Sequence, residues 1–232
     1  MLGTGSYTDV ASAVAELMEG ERPEHFGDIH RTYEDGERMV TTPPYTAFLK
    51  IAEGCSNGCA FCIIPKLRGR YRSRSMEALV EEARGLAASG VKELIVIAQD
   101  ITRYGLDRKD GSTLAKLLDR LCELDFHWIR LHYLYPEAVT DELIETIARQ
   151  PKILHYLDIP IQHCNDAILK AMRRRNTRAE IEALFAKLRK AMPDVVLRTS
   201  LICGLPGEGE AEFEELCHFL REQRIQRAGV FQ

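Results

Sequence analysis

The sequence contains no long apolar run, which argues against a helix that crosses a membrane. Its longest apolar segments, such as the one from Leu94 to Ala98, are far shorter than the roughly 20 residues that such a helix needs. The N-terminus also lacks a basic region followed by an apolar one, the pattern of a secretion signal. The sequence therefore predicts a cytoplasmic protein that has no membrane partner.

An excess of charge of one sign is also absent. The net charge of −4 gives the whole molecule no attraction to nucleic acid, so any such contact would depend on a local basic patch. The chain has 232 residues, of which 45% are hydrophobic and 28% are charged. It is therefore long enough to bury the core of one α/β domain and to carry a short appendage.

The seven cysteines lack the pattern of a disulfide framework, because their number is odd and three of them share one loop. That loop has the sequence GCSNGCAFC and contains Cys55, Cys59 and Cys62. Thiols crowded in this way predict a metal site. Isolated cysteines are usually small buried hydrophobic residues, and we predict that role for Cys122, Cys164, Cys203 and Cys217.

Strand-like segments alternate with helical patterns along most of the chain. The predicted strands are Ala47 to Ile51, Leu94 to Ala98, Trp128 to Leu131, Tyr156 to Ile159, Val195 to Ile202 and Ala228 to Phe231. This alternation predicts an α/β fold with a parallel sheet of right-handed βαβ units, either open and doubly wound or curled toward a barrel. Because the chain is too short for eight units, we predict a partial (β/α)6 barrel of the TIM type.

The helical segments carry recognisable start signals and apolar faces. Ser75, either Ser112 or Thr113, and Thr140 precede helical patterns as candidate N-cap residues, and Thr177 with Glu180 has the spacing of a capping box. The first helix of the repeating pattern has an apolar face that should pack on the sheet, made of Met76, Leu79, Val80, Ala83 and Leu86.

Residues 1–44 lie outside this alternation. They contain one weakly apolar helix, a polar stretch punctuated by proline and glycine, and a Thr-Thr-Pro-Pro hinge. The helix has its apolar positions at Val10, Val14, Leu17 and Met18. We predict an N-terminal arm or linker over residues 1–44 and a core domain over residues 45–232.

Unusual residues follow each of five predicted strands. The cysteine loop follows the first strand, and the other segments are Gln99 with Asp100, Tyr133 with Tyr135, Gln162 with His163, and Gly204 to Glu208. In parallel α/β folds the loops at the carboxyl ends of the strands meet at one mouth, where ligands bind. The sequence therefore predicts one shared site, although turns always collect glycine, proline and polar residues.

Three thiolates, rather than four, fit a [4Fe-4S] cluster with one open iron, because an open corner can bind a substrate directly. Gly54 and Gly58 would let the loop wrap closely around the cluster, while Phe61, Ile63 and Ile64 would shield it from water. A zinc site would have to recruit a distant ligand such as His132 or His163. The spacing alone leaves iron–sulfur, zinc and reactive thiols open.

The same loop resembles a known family. Its C-x3-C-x2-C spacing, with an aromatic residue before the third cysteine, is similar to the signature of radical S-adenosylmethionine (radical SAM) enzymes. The surroundings resemble the methylthiotransferases of the RimO type, which methylthiolate the β-carbon of an aspartate in a small-subunit ribosomal protein. Transfer-RNA methylthiotransferases are the alternative, followed by a non-catalytic zinc-binding domain. The resemblance runs from about Tyr45 to the end and rests on FLKIAEGC, CIIPKLRGRYRSR, AQDITRYG, RLHYLYP, YLDIPIQH and LICGLPGE.

The resemblance implies specific roles at the site. The three cysteines would hold the cluster, and the amino and carboxylate groups of S-adenosylmethionine would bind the fourth iron. Gln99 would contact the methionyl part, although a polar strand end is the plainer interpretation. Gln162 would bind the ribose and Arg198 the carboxylate, with an ion-pairing or solvent-facing Arg198 as the alternative. The adenine-side loop would be Gly204, Pro206, Gly207 and Glu208, while His163 is predicted to be a buried, hydrogen-bonded histidine.

Two basic stretches are candidate interaction surfaces. An extended backbone would place Lys66, Arg68, Arg70, Arg72 and Arg74 mostly on one side, where they would engage an acidic protein loop or ribosomal RNA. A solvated face is the default prediction for both groups. The second group consists of Arg173, Arg174, Arg175 and Arg178.

The chain also departs from the family. No cysteine precedes Cys55, whereas the family normally has an N-terminal domain that holds a second [4Fe-4S] cluster, and a carboxyl-terminal β-domain is also expected. We therefore expect a chain truncated to its radical SAM core, which binds the first cluster and S-adenosylmethionine but does not complete sulfur insertion. A flavodoxin- or ferredoxin-like electron donor is implied as well.

Overall fold

The computed structural model describes residues 1–31 and 39–232, and within them the chain forms eight strands. Six of these strands form one parallel sheet in the order β1-β4-β5-β6-β7-β8, and the other two form a small antiparallel pair. The strands are β1 (Thr46–Lys50), β2 (Ala52–Glu53), β3 (Arg72–Ser73), β4 (Glu93–Ile97), β5 (Trp128–Leu131), β6 (Ile153–Asp158), β7 (Val196–Ile202) and β8 (Arg227–Phe231).

The sheet follows the order of the chain, as in a (β/α) barrel. Among the described residues β1 pairs only with β4 and β8 only with β7 in this sheet, so the sheet stays open. The predicted partial (β/α)6 architecture is confirmed. The helices are α1 (Val10–Met18), α2 (Ile64–Arg68), α3 (Met76–Ala88), α4 (Leu114–Cys122), α5 (Asp141–Arg149), α6 (Asp166–Ala171), α7 (Arg178–Ala191) and α8 (Glu210–Glu222).

The helices start where the sequence predicts. The side chains of Ser75, Thr113, Thr140 and Thr177 each accept a hydrogen bond from a first-turn backbone N–H, and Glu180 completes the capping box at α7. Each such cap stabilises its helix by about 1 kcal/mol. These short-range signals fix the points at which the chain leaves each loop.

The core lies between the helices and one face of the sheet. The predicted apolar face of α3 is buried at its four central positions, while Met76 is partly buried. On β1, Ala47 and Leu49 are fully buried against this layer, whereas Phe48 on the opposite face is exposed. Full burial of a leucine side chain contributes roughly 1.5–3 kcal/mol, so this layer holds the strands in register.

Two short elements were not predicted. The pair β2–β3 and the five-residue helix α2 both flank the cysteine loop. Pro65 occupies the first turn of α2, where its fixed φ favours a helix start. Strand β6 also begins at Ile153, three residues before the predicted Tyr156, because the chain is already extended where it enters the sheet beside Ile129.

The extended conformation predicted for the first basic stretch is wrong. Lys66 and Arg68 lie in α2 and only Arg72 lies in a strand, so the residues do not share one side. Arg72 donates to the carbonyl of Arg70 at 2.6 Å, and Arg74 donates to the carbonyl of Lys50 at 2.9 Å. Most of these basic side chains therefore bind nearby backbone carbonyls or a carboxylate, and they do not form an open basic surface.

The N-terminal arm contains the predicted helix, α1. A hydrogen bond between the Thr4 hydroxyl and the Leu67 carbonyl joins the arm to α2, and the Arg70 N–H donates to His30 Nδ1 at 3.4 Å. Part of the predicted linker, residues 32–38, lies outside the described residues. In the part of the chain that the structure describes, every helix is too short or too polar to cross a bilayer.

Candidate metal centre

The cysteine loop runs from Gly54 to Ile63, between β2 and α2, and backbone hydrogen bonds hold it from two sides. The Cys55 N–H donates to the Gly69 carbonyl at 3.2 Å, and the Ala60 N–H donates to the Met172 carbonyl, just after α6, at 2.9 Å. The three cysteines are partly exposed and have free thiols. The loop is therefore anchored to neighbouring segments while its thiols remain open to a ligand.

Gly54 is required by the way the loop closes. Its φ is +78°, and a Cβ at this position would lie 2.3 Å from the Arg70 carbonyl oxygen and 2.6 Å from that of Gly69. Gly58 also has a positive φ, +71°, but a Cβ there would meet nothing within 4 Å. The predicted close wrapping thus depends on the missing side chain at Gly54 and only on the backbone conformation at Gly58.

The surroundings disfavour charge on the first thiol. Burial raises the pKa of Cys55, and the nearby carboxylate of Asp100 and the thiols of Cys59 and Cys62 raise it further. Cys55 therefore lies within electrostatic reach of both other thiols. A cationic metal centre would instead favour the thiolate over the protonated thiol, because it stabilises the thiolates that bind it.

The three thiols are not gathered around a single point. Among the described residues, no group of three or more His, Cys, Asp and Glu side chains is gathered around one metal position. A zinc ion requires ligands gathered around one point, since each sulfur ligand lies about 2.3 Å from the metal. A [4Fe-4S] cluster binds each cysteine at a separate iron, so its ligands need only surround a larger object.

The two histidines that a zinc site would recruit contact other groups. His163 is fully buried, accepts a hydrogen bond from the Asn165 N–H at 3.0 Å and faces Glu208 at 3.6 Å. This confirms the prediction of a buried, hydrogen-bonded histidine. His132 Nδ1 lies 3.5 Å from Asp158.

Asp100 ties the cysteine loop to the carboxyl end of β4. Its fully buried carboxylate accepts from Asn57 Nδ2 at 2.8 Å and from the Thr102 N–H at 3.1 Å, and it pairs with Arg103 at 3.2 Å. A buried charge is stable only when it is paired and hydrogen-bonded in this way. The sequence singles out Asp100 only by its place after a strand and carries no signal of the contact with Asn57.

Tyr135 and Arg174 form a second contact with the loop. The Tyr135 hydroxyl lies 2.8 Å from Cys59 Sγ, and the Arg174 guanidinium lies 3.9 Å from the centre of the Tyr135 ring. Burial raises the pKa of Tyr135, which keeps its hydroxyl protonated. Arg174 is itself buried, so the predicted solvated face is wrong at this position, whereas Arg173 and Arg175 are exposed.

The turn after α6 explains why Arg174 points inward. Arg173 has a φ of +56°, its N–H donates to the Lys170 carbonyl at 3.0 Å, and the Arg174 N–H donates to the Leu169 carbonyl at 2.8 Å. These are the two hydrogen bonds of a Schellman motif, with arginine in the position usually held by glycine. Without that glycine, the sequence carries no signal that the chain reverses here.

The predicted cofactor residues lie at the same end of the sheet, in different surroundings. The side-chain oxygen of Gln99, just after β4, is buried with no hydrogen-bond partner among the described residues. Gln162 has a φ of +70°, and its backbone forms hydrogen bonds with Ser200 and Ile202 of β7. Arg198 donates to the buried Asp158 at 2.6 Å, which is the ion-pairing alternative.

The loop from Gly204 to Glu208 is held by its own acidic residue. Glu208 accepts from the Gly204 N–H at 2.8 Å and from the Leu205 N–H at 3.0 Å, and its side chain is nearly fully buried. Gly204 and Pro206 are exposed. Glu208 therefore shapes this loop, and the exposed backbone is the part that a ligand would meet.

The apolar residues that are predicted to shield a cluster from water are partly exposed to solvent. Phe61 is 42% exposed and Ile63 is also exposed, while Ile64 is half-buried at the start of α2. Their shielding of a bound cluster stays a prediction.

A comparison with protein families identifies the superfamily. The family model described as "Radical SAM superfamily" matches residues 49–220, which include all three cysteines of the loop. The chain belongs to the radical SAM superfamily. Its match begins within β1 and ends within α8, so it covers most of the sheet described above.

Curated relatives show which members of the radical SAM superfamily this chain is similar to. The chain is 50% identical over 233 residues to the ribosomal protein uS12 methylthiotransferase RimO of Caldanaerobacter subterraneus subsp. tengcongensis, in a match that covers 100% of this chain and 53% of the relative. The RimO protein of Lachnoclostridium phytofermentans is 51% identical, with the same shares covered. The chain thus spans about half the length of the curated relatives it matches.

Solved radical SAM structures share the fold. The methyltransferase TsrM from Kitasatospora setae, with tryptophan substrate and a SAM analogue bound, aligns at a TM-score of 0.68 and 16% identity, covering 84% of this chain and 39% of TsrM. Coproporphyrinogen III oxidase from Escherichia coli aligns at 0.61 and 18% identity, covering 82% of this chain and 45% of that enzyme. These likenesses support the partial barrel.

Proposed function

We propose that this chain is the radical-generating core of a methylthiotransferase that modifies an aspartate of a small-subunit ribosomal protein. The observation that carries the proposal is the identity of about 50% along the whole chain to relatives named uS12 methylthiotransferases. The anchored three-cysteine loop at the carboxyl end of the sheet supports the chemistry. The substrate and the complete reaction belong to the proposal, since those relatives are about twice as long.

Cys55, Cys59 and Cys62 would hold the [4Fe-4S] cluster, and the open iron would take the amino and carboxylate groups of S-adenosylmethionine. When bound and reduced, the cluster would supply the one electron that splits the sulfonium of the cofactor into methionine and a 5'-deoxyadenosyl radical, and that radical would abstract a substrate hydrogen. The protein's part is to hold the thiols, to orient the cofactor and to keep water from the radical.

The remaining residues would orient S-adenosylmethionine. The buried, unpartnered oxygen of Gln99 supports a contact with the methionyl amino group, which is a hydrogen-bond donor. Gln162 would face the ribose, and Arg198 would face the carboxylate while Asp158 holds its guanidinium. The exposed backbone around Gly204 and Pro206 would receive the adenine, with Glu208 holding that loop in shape.

The proposal also covers domains and partners. Residues 45–232 would form the radical SAM core, and residues 1–44 the arm that leads from a domain holding the second [4Fe-4S] cluster. A flavodoxin- or ferredoxin-like donor would deliver the electron in the cytoplasm. Contact with ribosomal RNA would fall to Lys66 and Arg70, the exposed members of the first basic stretch.

Hydrogen transfer from the substrate tests this function without requiring sulfur insertion. The chain, reconstituted with iron and sulfide under anaerobic conditions and reduced, is incubated with S-adenosylmethionine and ribosomal protein uS12 deuterated at the β-carbon of its aspartates. We expect mass spectrometry to find deuterium in the 5'-deoxyadenosine. Protein deuterated only at its leucines is the control. Deuterium taken instead from labelled transfer RNA would reject the ribosomal substrate in favour of the transfer-RNA alternative.

A further inference from the structure

The contact between Tyr135 and Cys59 is unusual because a buried phenol is aimed at one of the three thiols. The Tyr135 hydroxyl lies 2.8 Å from Cys59 Sγ, within hydrogen-bond distance. A bound thiolate has no proton, so the phenol is the donor in this pair. Hydrogen bonds to cluster sulfur atoms are among the factors that set the reduction potential of iron–sulfur centres.

Two independent contacts hold the ring of Tyr135 in this place. Its backbone N–H donates to the Thr102 hydroxyl at 3.4 Å, and Thr102 is bound to the same Asp100 carboxylate that holds Asn57 in the cysteine loop. Pro136 follows immediately and starts a short 3₁₀ turn. The buried Asp100 carboxylate therefore helps to position both groups, since it binds Asn57 in the cysteine loop and Thr102, which contacts Tyr135.

The second contact comes from Arg174, which covers the face of the ring. Its guanidinium lies 3.9 Å from the ring centre and donates to the Pro160 carbonyl at 2.9 Å. Arg174 is only 7% exposed, and its Nε has no hydrogen-bond partner among the described residues. Within that part of the chain no carboxylate forms a salt bridge with Arg174, although burial raises the pKa of Glu137 and the guanidinium lies close enough to lower it.

A buried cation without a counter-ion is costly unless an anionic group lies nearby. A cubane that carries three thiolate ligands would supply that negative charge near the hydroxyl of Tyr135, where Cys59 lies. Arginine also suits this position because its planar guanidinium stacks on aromatic rings while it donates to a carbonyl. A bound anionic cluster would therefore explain why an arginine is buried on the Tyr135 ring, which core packing alone does not explain.

We propose that Tyr135 is a positioning residue for Cys59, which donates a hydrogen bond to the cluster ligand and raises the cluster's midpoint potential, and that Arg174 holds Tyr135 in place. The inference rests on the proposed function, because it requires a bound cluster. A donor on sulfur stabilises the reduced state, which carries more negative charge. Removing it should make the cluster harder to reduce.

The test is a redox titration of the reconstituted chain followed by electron paramagnetic resonance. Tyr135→Phe removes only the hydroxyl and leaves the ring under Arg174. We expect about a tenfold shift of the reduction equilibrium toward the oxidised cluster, which is about 59 mV for a one-electron couple. Arg174→Met should shift the potential in the same direction. Tyr45→Phe, at a tyrosine that is 61% exposed and lies before β1, and Arg175→Met, at the exposed arginine next to Arg174, should leave it unchanged.

The outcomes separate the two proposals. A lower midpoint in Tyr135→Phe supports the inference, as does loss of iron from a variant that melts at the wild-type temperature. Equal midpoints and equal iron contents in Tyr135→Phe and wild type overturn the inference and leave the proposed function intact. A wild-type chain that takes up no iron and sulfide overturns the proposed function, and the inference falls with it.

Discussion

The substitution Cys59→Ala is expected to reduce the iron and acid-labile sulfide bound by the reconstituted chain to background. Cys59 supplies one of only three thiols in the loop, so its loss leaves the cluster with two protein ligands. Changing a group one step removed from a metal typically costs 10–100-fold in affinity or activity, and we expect loss of a ligand itself to exceed about 100-fold. Formation of 5'-deoxyadenosine should fall by at least the same factor.

Cys217→Ala is the matched control for this experiment. Cys217 is also partly exposed with a free thiol, but it lies within α8. We expect this variant to bind iron and sulfide as the wild type does. Stoichiometric zinc with no iron in the wild-type chain would contradict the iron–sulfur assignment, and so would full iron retention in Cys59→Ala.

The substitution Gly54→Ala is expected to lower the free energy of unfolding by about 2–5 kcal/mol and to weaken cluster retention. A left-handed conformation costs a residue with a side chain roughly 1–2 kcal/mol, and displacing packed neighbours costs about 1–3 kcal/mol more. The new Cβ would meet two carbonyl oxygens of the backbone, at 2.3 and 2.6 Å, which cannot swing aside like a flexible side chain. Urea unfolding of the cluster-free chain measures the first effect, and iron content after reconstitution measures the second.

Gly90→Ala separates the cost of the left-handed backbone conformation from the cost of a steric clash at the new Cβ. Gly90 also has a positive φ, +98°, at the end of α3, but a Cβ there meets nothing within 4 Å. It should therefore cost only about 1–2 kcal/mol and leave iron retention unchanged. Equal destabilisation by the two substitutions would show that the approach of Gly69 and Arg70 to Gly54 carries no energetic weight.

The strands and helices of the sheet were predictable because their signals are local. Apolar runs such as that of β4 are bounded by turn residues, and the threonine caps stand directly before their helices. The helix α2 and the β2–β3 pair were not predictable, since five and two residues are too few to show a period. Their conformation is imposed by the loop that they enclose.

The candidate site was predictable in position but not in its contacts. The rule that ligands meet the carboxyl ends of parallel strands brought the cysteine loop, Gln99 and Gln162 to one end of the sheet. The contact of Tyr135 with Cys59 joins residues 76 positions apart, and the arginine that covers the Tyr135 ring follows a Schellman turn that lacks its usual glycine. In the sequence, Arg174 is one of three consecutive arginines, and only the tertiary structure distinguishes it from its exposed neighbours.

The central claim is that three cysteines leave one iron of a cubane open for S-adenosylmethionine. Electron–nuclear double resonance on the reduced chain, with S-adenosylmethionine isotopically labelled in its carboxylate and its amino group, tests this directly. We predict hyperfine coupling between the cluster and both labelled groups, and loss of both couplings when the cofactor is omitted. A cluster that shows no coupling to the bound, labelled cofactor, or that shows coupling to a histidine nitrogen of the protein at its fourth iron, would contradict the account.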